Sequence, residues 1–389
     1  MNLFGYKSRR PAARPALSRP FQWGGATIGE FGGDFGGGAP GVPTSYEERV
    51  RLAFVNNPVA QRACRLVSQA VADCPLSSGD PMAAKLVQMR SGGQTLMENC
   101  AVQILLHGNA YIQILVDGED RPGELYALRP ERLAVEADAA GYPIAFTYRA
   151  GSQTLRLPVE DAQGRTILVH VKAVHPLDDH YGLGGLSAAM PAVAVHNAAA
   201  RWNRALLDNA ARPSGALVFD PKDGGGPMSA TQFERLRSEM ETQFQGAGNA
   251  GRPMLLEGGL KWQSISLSPA DMDFIALKDS AARDIAMAFG VPPMLIGIPG
   301  DATYANYREA NRAFWRQTVL PLASTILSSI QQALETWGVD GRLAVDLDTV
   351  PALSDERESL WQRVCDADFL TAAEKRMMLG IATLFPEPE

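Results

Sequence analysis

The chain has 389 residues, 46% hydrophobic and 20% charged, which suits folded domains and excludes a disordered or collagen-like chain. No stretch approaches the roughly 18 apolar residues of a membrane span, and no apolar core follows the basic start, so neither a membrane helix nor a signal peptide is expected and Arg9-Arg10 is not an export signal. The formal charge of −7 is uneven: residues 1–20 carry Lys7, Arg9, Arg10, Arg14 and Arg19 and no acid, leaving −12 on the rest, too acidic for a protein that grips nucleic acid.

Residues 1–44 join this basic start to the Gly/Pro tract GGDFGGGAPG and are expected to form a flexible arm. Gly36, Gly38 and Gly41 match GxGxxG, but no strand precedes them and Pro40 interrupts, so no nucleotide site is read there. Order is expected from Tyr46. In NNPVAQRACRLVSQAVADCP, Asn57 caps a helix, Pro58 suits its first turn, and Val59, Ala63, Val67, Ala70, Val71 and Cys74 share a face. A second helix, TLMENCAVQILLHG, aligns Leu96, Cys100, Ile104 and Leu105, stops at Gly108 and runs into the strand NAYIQILVD, which turns at Asp117-Gly118. The strands ELYAL, RLAVEAD, IAFTYRA and TILVHVK follow, predicting an α+β region with helices on one small, mainly antiparallel sheet.

The segment SAAMPAVAVHNAAARWNRALLDNAA is an alanine-rich helix with Pro191 near its start, a helix that needs close neighbours because alanine buries little area. A strand, GALVFD, precedes a helix opened by a Ser229–Gln232 capping box and carrying Phe233, Leu236, Met240 and Phe244. PMLLEG and LKWQSISL then read as a hairpin about Gly258-Gly259. Ser268-Pro269 opens a helix that ends at Gly290 before Pro292-Pro293, so residues 213–268 form an αβ module inserted between two helices. MLIGIPGDAT is expected to hold no regular element. A helix from Tyr304 to Trp337, kinked at Pro321, leads to the strand LAVDLD and two short helices, one capped by Ser354 and one by a Thr371–Glu374 box.

A search for catalytic constellations finds no phosphate loop, GxSxG elbow, HExxH or paired CxxC motif. Cys64, Cys74, Cys100 and Cys365 are scattered and read as inert thiols. His170, His175 and His180 fall five apart, a spacing that suits no single helix or strand face, and a metal site is weighed against a strand-end histidine and two loop histidines. Cys100 and His107, seven residues apart, make a poor nucleophile and base because the cysteine lies in the apolar stripe. Asp271, Asp273, Asp279 and Asp284 share a helix with Lys278 and Arg283, which favours a self-paired solvated face over an acid/base pair. Phe314 and Trp315 read as core, and Trp262 as either an interface residue or a local core residue.

Several literal stretches resemble the phage portal family, the head-to-tail connectors of tailed phages: NPVAQRACRLVSQAVADCPL, LLHGNAYIQIL, VHVKAVHPLDDHYGLGGLSAA, NAGRPMLLEGGLKW and ARDIAMAFGVPPMLIGIPGDATYANYREANRAFWRQTVLPL. They cover most of residues 45–340. The chain departs from the family at Gly184-Gly185-Leu186-Ser187, where a Ser-Pro is usual, and at TAAEKRMM near the end. The resemblance implies a portal fold: an arm (1–44), an α/β wing (45–185), stem helices (186–212 and 269–290) around a small αβ clip (213–268), a tunnel loop (291–306), a long kinked wing helix (307–339) and a short helical crown (340–389).

It further implies a non-enzymatic ring of twelve copies in the virion, at one capsid vertex and assembled in the bacterial cytoplasm. Double-stranded DNA would pass through it, and the terminase large subunit, a head-tail adaptor and the major capsid protein would contact it, with no cofactor, metal or membrane. The tunnel loop would present Gly297, Ile298, Pro299, Gly300, Asp301, Thr303 and Asn306, and Phe233, Arg237 and Trp262 would lie at the clip interface. Lys278, Arg283 and Arg308 would meet the DNA backbone or pair between subunits, the two readings weighing equally. The 29 Arg against 7 Lys, with abundant Ala, point to a GC-rich bacterial host, and the resemblance runs to alphaproteobacterial portals, those of gene transfer agents and of ordinary prophages alike. A DNA-processing hydrolase with a metal site on the Asp-rich helix and a non-channel adaptor are the competing readings.

Overall fold

The computed structural model describes residues 43, 45–91, 93–208, 215–219, 229–244, 260–264, 274–299 and 303–380. The expected arm, except Pro43, lies outside them. The first helix, α1 (Tyr46–Val50), continues as a π turn over Arg51–Val55. Helix α2 (Pro58–Ala72) starts as its sequence predicts, with Asn57 Oδ1 accepting from the backbone N–H of Val59 and Ala60, each at 3.0 Å. Strand β1 (Leu76–Ser78) and helix α3 (Pro81–Gln88) follow, then a two-residue hairpin pair, β2 (Arg90–Ser91) and β3 (Gln94–Thr95). Helix α4 (Leu96–His107) lies against α2 and ends at Gly108, whose φ of 86° is the left-handed conformation that glycine adopts freely.

The expected single sheet is instead two three-stranded antiparallel sheets. In the first, β4 (Asn109–Val116) lies between β5 (Pro122–Leu128) and β9 (Leu168–Lys172). In the second, β7 (Pro143–Ala150) lies between β6 (Leu133–Ala137) and β8 (Gln153–Pro158). The physical reason lies in β4, which is buried on both faces. Ala110, Ile112 and Ile114 join the helical core, whereas Tyr111 joins Leu128, Leu133, Val135, Phe146, Leu157, Leu168 and Tyr181 in a second core between the sheets. Strand β8 carries little sequence signal because Leu157 is its one buried side chain and Leu155 is exposed.

The alanine-rich helix α5 (Gly185–Asp208) packs along α7 (Phe274–Ala288). Leu186, Ala189, Met190, Val193 and Ala199 on one, and Ala281, Ala282, Ile285 and Ala286 on the other, are buried, and the small residues let the backbones approach closely. Between them β10 (Gly215–Phe219) pairs antiparallel with β11 (Leu260–Ser264), placing Leu217 opposite Trp262, and α6 (Ala230–Phe244) stands between these strands in sequence. The Ser229–Gln232 capping box forms, with Gln232 N donating to Ser229 Oγ at 3.4 Å and Ser229 N to Gln232 Oε1 at 3.0 Å. The partner strand expected at PMLLEG, and the expected helix start at Ser268-Pro269, lie outside the described residues.

Three expectations are corrected after α7. First, the segment after Gly290 is not wholly irregular, because Pro293–Ile296 forms one 3-10 turn closed by Gly297 at φ 83°. Second, the long helix is not kinked at Pro321 alone. It comprises α8 (Tyr304–Phe314), a π turn over Trp315–Val319 and α9 (Leu320–Glu335), with Leu320 N reaching back to Trp315 O. Pro321 lacks an N–H and its ring crowds the carbonyl four residues earlier, and the widened turn just before it accommodates both. Third, β12 (Leu343–Val345) ends before Asp346, and two 3-10 turns lead into α10 (Ser354–Cys365). Ser354 is therefore not a cap: as the first helical residue it donates its Oγ to Pro351 O at 3.0 Å. The Thr371–Glu374 box does open α11 (Ala372–Leu379) as predicted. Pairing of β1 with β12 joins the segment after α2 to the segment after α9.

Candidate functional site

Two of the sequence stretches singled out above, LLHGNAYIQIL and VHVKAVHPLDDHYGLGGLSAA, meet in space. At their meeting point Gly108, Gly182 and Gly184 stack backbone on backbone. A Cβ on Gly182 would lie 2.1 Å from Gly108 O, and one on Gly184 2.8 Å from Gly108 N, so the approach requires glycine. Asn109 stitches the contact together. Its Oδ1 accepts from Gly182 N at 2.7 Å and pairs with His170 Nε2 at 3.0 Å, while its Nδ2 donates to Gly182 O at 3.3 Å and meets His107 Nδ1 at 3.1 Å. A second buried knot lies farther along α5, where Asn57 Nδ2 donates to Asn197 Oδ1 at 2.9 Å and meets His196 Nδ1 at 3.1 Å. Asn197 Nδ2 in turn donates to Leu52 O at 2.9 Å. Sequence reasoning reads Asn57 as a helix cap and passes over Asn109, Gly182 and His196. The signal for them is a polar residue inside an apolar run, which burial turns into an obligatory hydrogen-bond centre.

The histidine triplet does not form a metal centre, and no group of described residues could hold a metal ion. His170 is stacked on Tyr111 at 4.3 Å, and burial pushes it down to about 3. His175 accepts from Leu177 N at 3.1 Å in an exposed loop, and His180 is buried. Cys64, Cys74 and Cys100 are buried with their thiols pushed up to about 12, which leaves them inert, while Cys365 is exposed. Of the aspartates on the presumed acidic helix, Asp279 and Asp284 lie on α7, and Asp271 and Asp273 fall outside the described residues.

The residues expected in a tunnel loop occupy the connection from α7 to α8. Arg283, on α7, donates its Nη2 to Pro299 O at 2.7 Å. Gly297 closes the 3-10 turn, Ile298 N donates to Pro293 O at 3.2 Å, and Thr303 caps α8 by accepting from Asn306 N at 3.2 Å. Gly300 and Asp301 lie outside the described residues. Lys278 is half-buried on α7. Arg308 is ion-paired within its own chain, 3.4 Å from Asp355 of α10. It belongs to a ladder in which Arg312 reaches Glu309, Asp355 and Glu356 and Arg316 reaches Glu356, fastening α10 to the α8 helix and its π turn. Of the residues expected at an interface of the inserted module, Phe233 is 59% exposed on α6 and Arg237 lies 3.7 Å from Glu234, while the Trp262 side chain falls outside the description. Phe314 is buried and Trp315 half-buried, as expected of core residues.

Helices on an antiparallel α+β framework, a helix pair with a small αβ module between them in sequence, and a glycine- and proline-containing turn leading into a long helical run make up an α+β fold. The chain belongs to the phage portal protein family, which matches residues 58–380. It is 37% identical over 342 residues to an uncharacterised protein of Rickettsia bellii (strain RML369-C), covering 85% of this chain and 88% of that one. It is 25% identical over 289 residues to the probable portal protein of Streptomyces phage phiC31, covering 69% and 62%. Among solved structures it superposes with a TM-score of 0.67 and 47% identity on a chain from the neck of a native gene transfer agent (GTA) particle computed with C12 symmetry, covering 89% of this chain and 96% of that one.

Proposed function

We propose that this portal protein forms a twelve-membered ring at one vertex of a gene transfer agent capsid, through which double-stranded DNA is packaged and later ejected. The observation that carries this reading is the 47% identity to a chain of a C12-symmetric GTA neck, extending over 96% of that chain. In this arrangement residues 45–185 and the long helix are the wing, α5 and α7 the stem, residues 213–268 the clip that receives the terminase large subunit and then a head-tail adaptor, and residues 340–389 the crown. The connection over residues 291–306 lines the narrowest passage. Lys278 and Arg283 are the candidates to meet DNA phosphates, since Arg308 is already paired with Asp355. The rest of the wall is acidic and discourages DNA from sticking.

Negative-stain imaging of the purified full chain tests the ring: class averages with rotational symmetry are expected, and monomers that form no rings even beside the capsid proteins would overturn it. Deleting residues 297–303 should leave rings intact and impair packaging or DNA retention. Loss of ring assembly would make the turn a structural element instead.

A further inference from the structure

The turn before α5 is bonded through Gly182 to Asn109 of β4, and α5 itself through Asn197 to Asn57 at the α2 cap, and at both points the asparagine amide faces a histidine Nδ1. In each case backbone groups dictate the amide's orientation. Asn109 Oδ1 must face the Gly182 N–H, and Asn57 Oδ1 must face the N–H groups of Val59 and Ala60. Each Nδ2 therefore faces the imidazole, Asn57 Nδ2 also donating to Asn197 Oδ1 at 2.9 Å and Asn109 Nδ2 also lying 3.3 Å from both Gly182 O and His107 O, and an amide nitrogen can only donate. His107 Nδ1 and His196 Nδ1 must accept, which a histidine does only when neutral, with its proton on Nε2. A proton on either Nδ1 would set N–H against N–H in a buried site.

We propose that these two asparagine–histidine clamps make the attachment of α5 acid-sensitive, so that protonation of His107 and His196 releases the helix and the turn that precedes it from the helical layer. The surroundings offer an imidazolium nothing in return. His107 meets Tyr46 of α1 edge-on at 4.8 Å, and His170 of β9 lies across Asn109. Burial, followed by Glu131, holds the Tyr46 phenol above its ordinary range, so it stays uncharged. His196 faces Asn57 at the α2 cap, its own neighbour Asn197, and Lys278 of α7, whose charge is of the wrong sign. No carboxylate among the described residues acts on either ring. Burial pushes His107 down to about 4, and burial followed by Lys278 lowers His196. Because both folded values lie below the roughly 6.5 of an unfolded histidine, the clamps contribute fully above that pH and are lost as pH falls from there toward the folded values.

Melting temperatures of the assembled protein between about pH 7.5 and about pH 4.5, spanning the histidine range, test this. Asn57→Asp keeps the helix cap but places a carboxylate against His196, which now favours the imidazolium. This variant is expected to melt below the wild type at neutral pH, with the gap narrowing or reversing toward acid. A gap that stays constant across the range would overturn the proposal. Should that variant fail to fold, His196→Gln provides an acceptor that does not titrate, and its acid decline must be shallower than the wild type's. An equally steep decline would overturn the proposal. Hydrogen exchange locates the effect: peptides covering residues 180–200 should lose protection in acid ahead of those covering β4 and β9, and loss of protection in the reverse order would count against release of α5.

Discussion

At Gly182 the folded chain leaves no room for a methyl group. A Cβ there would sit 2.1 Å from Gly108 O and 2.7 Å from Ala173 N, both backbone atoms of ordered neighbours that cannot turn aside as a side-chain tip could. Gly182→Ala is therefore expected to cost about 3 kcal/mol of stability, read as a lowered melting temperature. Gly151→Ala, where φ is 61° but no atom lies within 4 Å, should cost only about 1 kcal/mol, from backbone strain alone. Equal losses would mean that conformation rather than crowding selects glycine at Gly182. Single residues also show why local reading stops short. Asn57 is legible as a cap because its partners are two and three residues away. Asn109 is not, because the Gly182 amide that it satisfies lies 73 residues downstream.

Elements were legible where their signals are local. Asn57 before Pro58, Gly108, Gly290 and the Thr371–Glu374 box each mark a helix end through bonds to neighbours in sequence, and each stands where expected. The π turn over Trp315–Val319 was not legible, since only a Pro at position 321 hints at it and the side of the proline on which the ladder widens depends on packing. The contact between α8 and α10 was equally hidden. Arg308, Arg312 and Arg316 recur at helical spacing, but nothing local points to Asp355 and Glu356 as their partners, and Arg308 read as a DNA-backbone or intersubunit contact until α10 brought Asp355 beside it. Arg312, whose side chain is only 18% exposed, is central to this contact. Arg312→Ala should lower stability by about 1–2 kcal/mol. It should also speed hydrogen exchange in residues 354–380 selectively, and uniform exchange across the chain would refute the idea that this ladder secures α10.

For the whole molecule, the uneven charge acquires a consequence. In the proposed ring the residues outside 1–20 would carry a net charge of −12 per subunit, so a short DNA duplex incubated with the purified assembly at physiological salt is expected to show no retention in a gel-shift assay. Firm, salt-sensitive retention would reveal a basic surface created by assembly. Stability at this scale rests on two cores that share the first sheet, one face of β4 packing on the helices and the other on the second sheet.

The sequence alone was enough to determine the α+β class, the helix ends marked at Asn57, Gly108, Gly290 and Thr371, and membership of the portal family, because caps, glycine stops, hydrophobic periodicity and literal motif stretches are all local or collinear properties. Tertiary structure alone decided that the strands divide into two sheets, that three histidines spaced five apart serve as a stacked ring, a loop acceptor and a buried side chain, and that His107 and His196 each receive an asparagine amide. Those outcomes depend on which distant residues share a buried space, and in such a space the need to satisfy every polar atom, more than the type of any one residue, determines what each side chain does.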